Sequence, residues 1–348
     1  MIRLPGEYEK QKATIMLFPY RNDIWRKNCE PIRHTLVKLA NIISEHQTVI
    51  FGVLPELESE LKNNYGLSGN VRVVPMKYND CWARDTISSV VLCEKNYLAS
   101  FSFNAYGAGL YRPWDDDDNL DCDIAKLFGY DIKKSRLILE GGNLMSDGNG
   151  TLFAVKESIL NKNRNPKVTE TEAADILKQL TGVRQIVWIE KGLVADETGG
   201  HIDNLIAFAD KSTLLLSFTD DESNPQYKLT HDIEEQLKSI TNADGEKYEI
   251  VRIPVPQLYY RDKEDSETIS KAKGSLSRES GDAVLETYIN FALANGVVVV
   301  PQFGDKEMDE QAMIAVKKAF PDRDVVPLDA KEAALGGGGF HCLTKHIN

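Results

Sequence analysis

The sequence predicts an α/β fold in one domain. Short runs of apolar and β-branched residues, which are typical of strands, alternate with segments whose apolar residues recur at helical spacing. The chain has 348 residues, 42% of them hydrophobic, so it can bury a sizeable core. No linker rich in Pro, Gly or Ser interrupts the alternation, and we therefore expect a single domain over residues 1–348.

The individual elements follow from these two periodicities. Ile32, Leu36, Leu39 and Ile43 recur at helical spacing, which predicts a first helix. Further helices are predicted near 55–64, 171–180, 228–240, 283–294 and 309–320. Strands are predicted at 48–54, 71–76, 88–94, 97–103, 136–140, 184–190, 204–209, 213–219, 249–255, 297–301 and 324–329. A strand pair with one helix recurs about five times, which fits either a doubly wound sheet or a ring of small β/α units.

Composition and charge narrow the functional classes. The net charge of −12 argues against nucleic acid or an anionic membrane as a partner and favours a cationic substrate. The N-terminus lacks an apolar signal segment, and the late apolar run 297–300 is far too short to span a bilayer. Five scattered cysteines without a CxxC pair suit a reducing compartment. We therefore expect a cytoplasmic protein, with a homo-oligomer as the common state for soluble enzymes.

Four polar clusters lie beside predicted strand ends, where α/β proteins usually place functional groups. These clusters are NDCWARD (79–85), EGGN (140–143), DETGGHIDN (196–204) and GGGGFHC (336–342). Each also fits a purely structural interpretation. Asp85 could pair with Arg84 at the surface, Glu140 could cap a turn, and Cys342 could be an inert buried thiol. His201 could be a surface histidine, and the four consecutive glycines could be a flexible loop.

Taken together, the clusters describe coherent chemistry. A Cys342 thiolate would be a strong nucleophile, and the imidazole of His201 titrates near neutral pH and could act as general acid and base. Carboxylates match the forked N–H donors of a planar guanidinium. Two or three of them would hold such a group and leave its central carbon open to attack.

Other chemistries lack their usual sequence signals. The chain contains no HExxH, CxxC pair or EF-hand loop, no Gly-Lys-Ser/Thr after Gly141–Gly150, and no Gly-x-Ser-x-Gly elbow. We expect the four acids Asp115–Asp118 to form a solvated loop rather than a metal site, because consecutive side chains cannot all point one way. The motifs therefore give no support to a metal site.

Ordered sequence blocks resemble those of the agmatine deiminases, within the guanidine-modifying pentein superfamily. They include LPGEYEKQKATIMLFPYRNDIWR (4–26), NDCWARDT (79–86), FNAYGAGLYRPWDDDD (103–118), EGGNLMSDGNGTLFAVKESILNKNRNP (140–166), GGHIDN (199–204), TDDESNPQY (219–227), YINFALANGVVVVPQFGD (288–305) and GGGGFHCLTK (336–345). The resemblance implies a pentein-type α/β propeller, with five ββαβ units in a pseudo-fivefold ring. It also implies hydrolysis of agmatine to N-carbamoylputrescine and ammonia without a metal or organic cofactor, in putrescine biosynthesis or agmatine degradation.

The resemblance also assigns roles to residues. Cys342 would form a covalent amidino-cysteine, and His201 would protonate the departing ammonia and later activate water. Asp85 and Asp203 would clamp the guanidinium nitrogens, while Glu140 would orient the group and share in proton transfer. Residues 149–166, later in the same block, are predicted to form the next hairpin strand and its exit loop and to be mostly scaffold.

Further residues are candidates for the pocket wall, for the distal end of the substrate and for the nucleophile. Trp82 is expected to line the pocket, because an aromatic face favours a cation. Asp196 and Glu197 are candidate partners for the distal ammonium of agmatine, on the basis of their charge and their position just before His201. Cys81 is the rival to Cys342 as nucleophile. The alternatives for function are a deiminase of another guanidine, such as peptidyl-arginine, and a non-catalytic protein that has kept the fold.

Overall fold

Five small sheets share one plan in the computed structural model, which describes residues 2–348. In each sheet an antiparallel strand pair is extended by a third strand that runs parallel to the second. A helix connects the two parallel strands, as a parallel connection requires. The recurring strand pairs and helices predicted from the sequence are therefore five ββαβ-type units.

Neighbouring strands in each sheet pair in the following order. The first sheet contains Lys345–Ile347, Ala13–Leu17, Thr48–Val53 and Val71–Pro75, and the second contains Ser89–Val91, Tyr97–Ser102 and Asp131–Ile138. The third contains Met145–Ser146, Thr151–Val155 and Gln185–Ile189, the fourth Ile206–Phe208, Thr213–Phe218 and Glu249–Pro254, and the fifth Ala292–Ala294, Val297–Gln302 and Asp324–Asp329. A separate two-stranded ribbon pairs Tyr259–Tyr260 with Ala283–Val284.

The first sheet takes one strand from the far end of the chain. Lys345–Ile347 pairs antiparallel with Ala13–Leu17, so that Ala13 lies opposite Ile347. Cys342 lies just before this C-terminal strand, and the N-terminal segment that contains Glu7 leads into its partner. The pairing therefore brings both termini of the chain to the same part of the fold.

The main helices bury one apolar stripe each. The predicted first helix is confirmed as Glu30–Ser44, with Ile32, Leu36, Leu39 and Ile43 buried. The other helices of at least seven residues are Glu58–Asn64, Asp115–Phe128, Glu170–Thr181, Tyr227–Ser239 and Lys306–Ala319. Shorter α-helices are Ala83–Thr86, Ala105–Ala108, Lys156–Ile159, Lys263–Ser266 and Lys331–Gly336, and 3-10 turns are Lys27–Cys29, Pro55–Leu57, Gly141–Asn143 and Ile202–Asn204. None of the helices within residues 2–348 has the length and apolar character needed to cross a membrane.

The predicted helix at 283–294 is wrong. The segment begins with the strand Ala283–Val284 and ends with Ala292–Ala294, which pairs antiparallel with Val297–Val299. Tyr288, Ile289 and Phe291 are all buried between these strands. A segment that is buried on every side has no polar face to reveal its period, so its apolar residues fitted a helical pattern by chance.

The prediction of a solvated loop at Asp115–Asp118 is also wrong, because these residues form the first turn of the helix Asp115–Phe128. Carboxylates are favoured at helix N-termini, where unpaired N–H groups and the helix dipole attract negative charge. Two of the acids also bind neighbouring backbone. Asp117 Oδ1 accepts from the Asn79 N–H at 2.7 Å, and Asp118 Oδ1 accepts from the Phe103 N–H at 2.6 Å. This acidic turn therefore holds together the loops beside it.

The helix Glu170–Thr181 provides a stability prediction. Thr169 and Glu172 form a capping box, in which the Glu172 N–H donates to Thr169 Oγ1 and the Thr169 N–H donates to Glu172 Oε2. Thr169→Ala should lower the free energy of unfolding by about 1 kcal/mol. Chemical denaturation measures this loss. Thr35→Ala, inside the helix Glu30–Ser44, is the control and should cost nothing, because Ala is the best helix former.

Candidate active site

The structure brings the five predicted catalytic residues into one buried cluster. Asp85 lies in the short helix Ala83–Thr86, Glu140 follows the third strand of the second sheet, and His201 and Asp203 precede the fourth sheet. Cys342 precedes the C-terminal strand. All five side chains are almost completely shielded from solvent. Residues far apart in sequence therefore form one site at the ends of several strands.

The ring of His201 lies between two carboxylates. Its Nδ1 is 3.7 Å from Asp85 Oδ1, and its Nε2 is 3.5 Å from Glu140 Oε2. Burial by itself lowers the pKa of His201, but the surrounding Asp85, Glu140 and Asp203 outweigh burial and raise the pKa to about 9. Within residues 2–348 neither ring nitrogen has a hydrogen-bond partner. His201 is therefore an imidazolium at neutral pH, with protons available for transfer.

Glu140 is held by an arginine that was not predicted from the sequence. Arg164 Nε donates to both carboxylate oxygens of Glu140, at 2.7 and 3.0 Å, and Arg164 Nη2 donates to the Thr198 carbonyl at 2.6 Å. Burial alone would raise the pKa of Glu140, but Arg164 and His201 lower it below its usual value. The prediction that residues 149–166 are mostly scaffold did not include this contact, by which Arg164 supplies the charge that keeps Glu140 ionised.

Asp85 is oriented by two donors and approached closely by a glycine. The Gly142 N–H donates to Asp85 Oδ1 at 2.7 Å, and the Tyr106 hydroxyl donates to Oδ2 at 2.8 Å. Burial raises the pKa of Asp85. A Cβ atom on Gly142 would lie 2.7 Å from Asp85 Oδ1 and from His201 Nδ1, and 2.9 Å from Asp203 Oδ2. Glycine is therefore required here to let the carboxylates and the imidazole meet.

The Cys342 sulfur faces a carboxylate and an amide. Asn290 Nδ2 donates to Sγ at 3.2 Å, and Sγ is 3.5 Å from Asp203 Oδ2. Burial, together with Asp203 and Asp85, raises the pKa of the thiol well above its usual value. Cys342 is therefore a neutral thiol in the unliganded site, and an arriving cation would be needed to favour the thiolate.

A small pocket borders this sulfur. Its lining residues are Trp82, Asp85, Tyr106, Leu110, Thr198, Gly336, Gly337 and Cys342. The structure thus places Trp82 in the pocket wall, as expected from the sequence. Trp82 also packs on Trp25, with ring centroids 5.3 Å apart, so its position in the wall is fixed.

Asp196 and Glu197 have different surroundings. The two oxygens of Asp196 accept four hydrogen bonds, from the Thr198 N–H and hydroxyl, the His201 N–H and the Asn204 amide. These contacts make Asp196 a support for the His201 loop, and they leave it poorly placed to bind a distal ammonium.

Glu197 instead lies beside the pocket. A Cβ atom on Gly337, which lines the pocket, would be 2.5 Å from Glu197 Oε2. The same oxygen accepts a hydrogen bond from Arg278 Nη2, and Arg261 Nη2 is 3.8 Å from Oε1. The two arginines therefore hold the carboxylate of Glu197 at the pocket wall.

The rival nucleophile Cys81 has a different environment. It is fully buried, it is not among the pocket-lining residues, and its N–H donates to Asp80 Oδ1 at 2.8 Å. Burial raises the pKa of its thiol well above the usual value. This position argues against a role in nucleophilic attack.

Comparisons with known proteins agree with this geometry. A family model described as Porphyromonas-type peptidyl-arginine deiminase matches residues 3–347. The chain belongs to this family. It is 36% identical to a protein of Latilactobacillus sakei that is provisionally named agmatine deiminase, over 99% of this chain and 95% of that protein. A Listeria monocytogenes protein with the same provisional name is 35% identical over 99% of this chain and 96% of its own length.

Solved structures extend the comparison to three dimensions. The agmatine deiminase of Enterococcus faecalis superposes with a TM-score of 0.94 at 29% identity, covering 99% of this chain and 95% of that one. The agmatine deiminase of C. jejuni, solved with substrate bound, gives a TM-score of 0.86 at 25% identity, covering 100% of this chain and 96% of that one. The mixed α/β fold described above is therefore the fold of these enzymes.

Four residues that contact the five predicted catalytic ones were not predicted from the sequence. Tyr106, Arg164, Asn290 and His341 all lie in blocks that resemble the family. Their position in these blocks was the only sign in the sequence that they contribute to the site. It could not show which residue of each block faces the site, because that depends on packing between distant segments.

The contact between Arg164 and Glu140 provides a second prediction. Arg164→Gln removes the cation that keeps Glu140 ionised, so the pKa of Glu140 should rise and the acidic limb of the pH–rate profile should move to higher pH. Breaking this buried pair should also destabilise the fold by about 3–5 kcal/mol. Hydrolysis rates from pH 5 to 9, with thermal melting, test both effects.

Two further variants serve as controls for that experiment. Arg164→Lys keeps a positive charge and should restore part of the acidic limb. Arg184→Gln breaks an exposed pair with Asp244 and should leave the profile unchanged. An acidic limb that is identical in Arg164→Gln and the wild type would show that Arg164 does not set the ionisation of Glu140.

Proposed function

We propose that this protein is an agmatine deiminase, which hydrolyses agmatine to N-carbamoylputrescine and ammonia. One observation carries the proposal: a buried thiol, a histidine and three carboxylates form one cluster, and two of its members, Cys342 and Asp85, line a small pocket. The names of the relatives and of the superposed enzymes support the choice of substrate.

The charges of the site favour a planar cation. Asp85, Asp203 and Glu140 present carboxylate oxygens to a space that excludes water, and a guanidinium offers several N–H donors in one plane. Asp203 Oδ1 is a buried acceptor without a partner within residues 2–348, so it is free to receive such a donor. Binding of the cation neutralises the negative charge of the carboxylates and at the same time favours the thiolate of Cys342.

The reaction then proceeds in two steps. In the first, the Cys342 thiol loses its proton to solvent as the guanidinium binds, and the thiolate attacks the central carbon. His201 donates its proton to the departing nitrogen, the C–N bond breaks, and ammonia leaves an amidino-cysteine cation.

In the second step, neutral His201 takes a proton from water, and the oxygen attacks the same carbon. The C–S bond breaks, the carbonyl of the product forms, and the proton lost from the carbamoyl group restores the thiol. Glu140, 3.5 Å from His201 Nε2, orients the imidazole and stabilises its charged form in both steps.

The five sheets support a proposal about the overall architecture. We infer that they surround a pseudo-fivefold axis as a pentein-type α/β propeller, in one catalytic domain with the pocket near the axis. The shared ββαβ plan and the C-terminal strand that completes the first sheet support this arrangement. We also propose a cytoplasmic protein active in polyamine metabolism; its five free cysteines suit a reducing compartment.

Mass spectrometry tests the proposed function. After incubation with agmatine and an acid quench, the peptide that contains Cys342 should carry an added amidino group. Cys342→Ser should abolish both the adduct and ammonia release, because no other thiol faces the pocket among the residues that the structure describes. Cys81→Ser is the matched control and should retain most activity. Activity in Cys342→Ser, or its loss only in Cys81→Ser, would overturn the assignment.

Substrate comparison separates agmatine from the peptidyl-arginine of the family description. Ammonia release should be fastest with agmatine and much slower with arginine or an arginine-containing peptide. For free arginine the lining provides the reason, because the described residues that line the pocket include no Arg or Lys to pair with the substrate carboxylate. Faster ammonia release from the peptide than from agmatine would show that peptidyl-arginine, and not agmatine, is the preferred substrate.

Glu197 provides a prediction about the far end of the substrate. Its carboxylate beside Gly337 could attract the distal ammonium of agmatine, so Glu197→Gln should raise KM by about tenfold, the effect of losing one hydrogen bond to a charged group. The kcat should change much less, because Glu197 is not among the groups around the reacting carbon. Glu190→Gln, at an exposed site paired with Lys156, is the control. An unchanged KM would remove Glu197 from substrate binding.

A further inference from the structure

We propose that Glu7 and His341 form a positioning pair, which orients Asp203 toward the guanidinium and keeps a positive charge directly behind it. This inference rests on the proposed function, since it concerns how the same site binds its substrate. Neither residue touches the pocket in which the reaction occurs. Both act through Asp203.

The geometry is a buried chain of three side chains. His341 Nδ1 lies 2.8 Å from Asp203 Oδ2, and His341 Nε2 lies 2.7 Å from Glu7 Oε2. The contact with His341 leaves Asp203 Oδ1 without a partner within residues 2–348. One oxygen of the carboxylate is thus fixed by the protein, and the other remains open for an N–H of the substrate.

Glu7 is itself firmly held. Arg84 Nη1 donates to Glu7 Oε1 at 2.6 Å, and Arg84 Nε donates to the His341 carbonyl at 3.3 Å. The Arg84 N–H also donates to the Cys342 carbonyl at 3.1 Å. Arg84 therefore links Glu7 to the carbonyls of both His341 and Cys342, so a shift of Glu7 would also move the backbone of the nucleophile.

The contacts of His341 determine its protonation. A neutral imidazole donates from only one nitrogen, whereas both nitrogens of His341 face carboxylate oxygens. Burial and Arg84 lower the pKa of this imidazole, but Glu7 and Asp203 outweigh them and raise it. His341 is therefore an imidazolium. The charged and titratable groups around its ring are Glu7, Asp203, Arg84, His346 and Cys342.

His346 also lies near Glu7, but its surroundings favour the neutral imidazole. Its Nδ1 faces Arg84 Nη1 at 3.1 Å and must accept that hydrogen bond, because a guanidinium only donates. Burial lowers the pKa of His346 well below its usual value. Of the two histidines near Glu7, only the one that bridges two carboxylates carries a positive charge, and that one adjoins the nucleophile.

The positive charge has a use in the reaction. Cys342 Sγ is 3.5 Å from Asp203 Oδ2, so negative charge on the carboxylate opposes formation of the thiolate. An imidazolium bonded to that same oxygen draws charge away from the sulfur and keeps the carboxylate aligned. Losing the charge should therefore slow attack by the thiolate even where the fold is unchanged.

Glu7→Gln tests the pair, because it keeps the shape of the side chain and removes its charge. Without Glu7 the pKa of His341 should fall, so the imidazolium should be lost as the pH rises through this lower value. The alkaline limb of the kcat/KM profile for agmatine should move to lower pH, with a loss of about tenfold at pH 9 and a smaller loss at pH 6.5. Glu9→Gln, two residues away in an ion pair with Arg3, should leave the profile unchanged.

His341→Asn provides a second variant. The Asn amide can still donate to Asp203 but carries no charge at any pH, so activity should fall across the whole range without a shift of the alkaline limb. A Glu7→Gln profile that matches the wild type, or one reduced equally at every pH, would overturn the proposal. In the second case Glu7 would have a purely structural role.

A measurement on the wild-type protein covers the case in which the variants do not fold. Nitrogen-15 NMR of the histidine rings should show both His341 nitrogens protonated at pH 7.5, and a bare nitrogen would overturn the proposal. The outcomes also separate the two hypotheses. A wild type that releases no ammonia from agmatine contradicts the proposed function, whereas an active wild type with an unshifted Glu7→Gln profile contradicts only the positioning pair.

Discussion

Three carboxylates buried beside a thiol are the constraint on which this site depends. Asp85, Glu140 and Asp203 are all almost fully shielded from water, and burying an unpaired charge costs several kcal/mol. The protein therefore surrounds each carboxylate with its own donors. Within residues 2–348, these donors leave some acceptor atoms unpaired, such as Asp203 Oδ1. A planar cation could donate hydrogen bonds to them.

The fold supplies these donors from segments that are distant in sequence. Glu140 is paired with Arg164, Asp85 binds Tyr106 and the Gly142 N–H, and Asp203 is bonded to His341. Because the five sheets follow one plan, equivalent strand ends can each deliver a side chain to the same place. The pairing of the C-terminal strand with Ala13–Leu17 matters most, since it brings the N-terminal segment behind the nucleophile.

The charges of the three carboxylates also explain why the protonation of Cys342 would change when the substrate binds. The surrounding carboxylates keep Cys342 as a thiol, which is not yet nucleophilic, and His201 as an imidazolium, which holds the proton that departing ammonia needs. A bound guanidinium would reverse the first effect and favour the thiolate. A neutral ligand would bring no such change, so selectivity for cations and activation of the nucleophile would have one electrostatic origin.

The sequence by itself determined the α/β alternation, because strand and helix periods are local properties, and its resemblance to the deiminases indicated the five residues that meet in the site. The predictions of a helix at 283–294 and of a loop at Asp115–Asp118 were wrong. Burial decides the first segment and helix-end electrostatics the second, and both depend on neighbouring elements. Only the tertiary structure decided the protonation states and the supporting roles of Arg164 and His341. Those depend on which charges lie within a few ångströms, and folding alone brings residues 7, 140, 164, 203 and 341 that close.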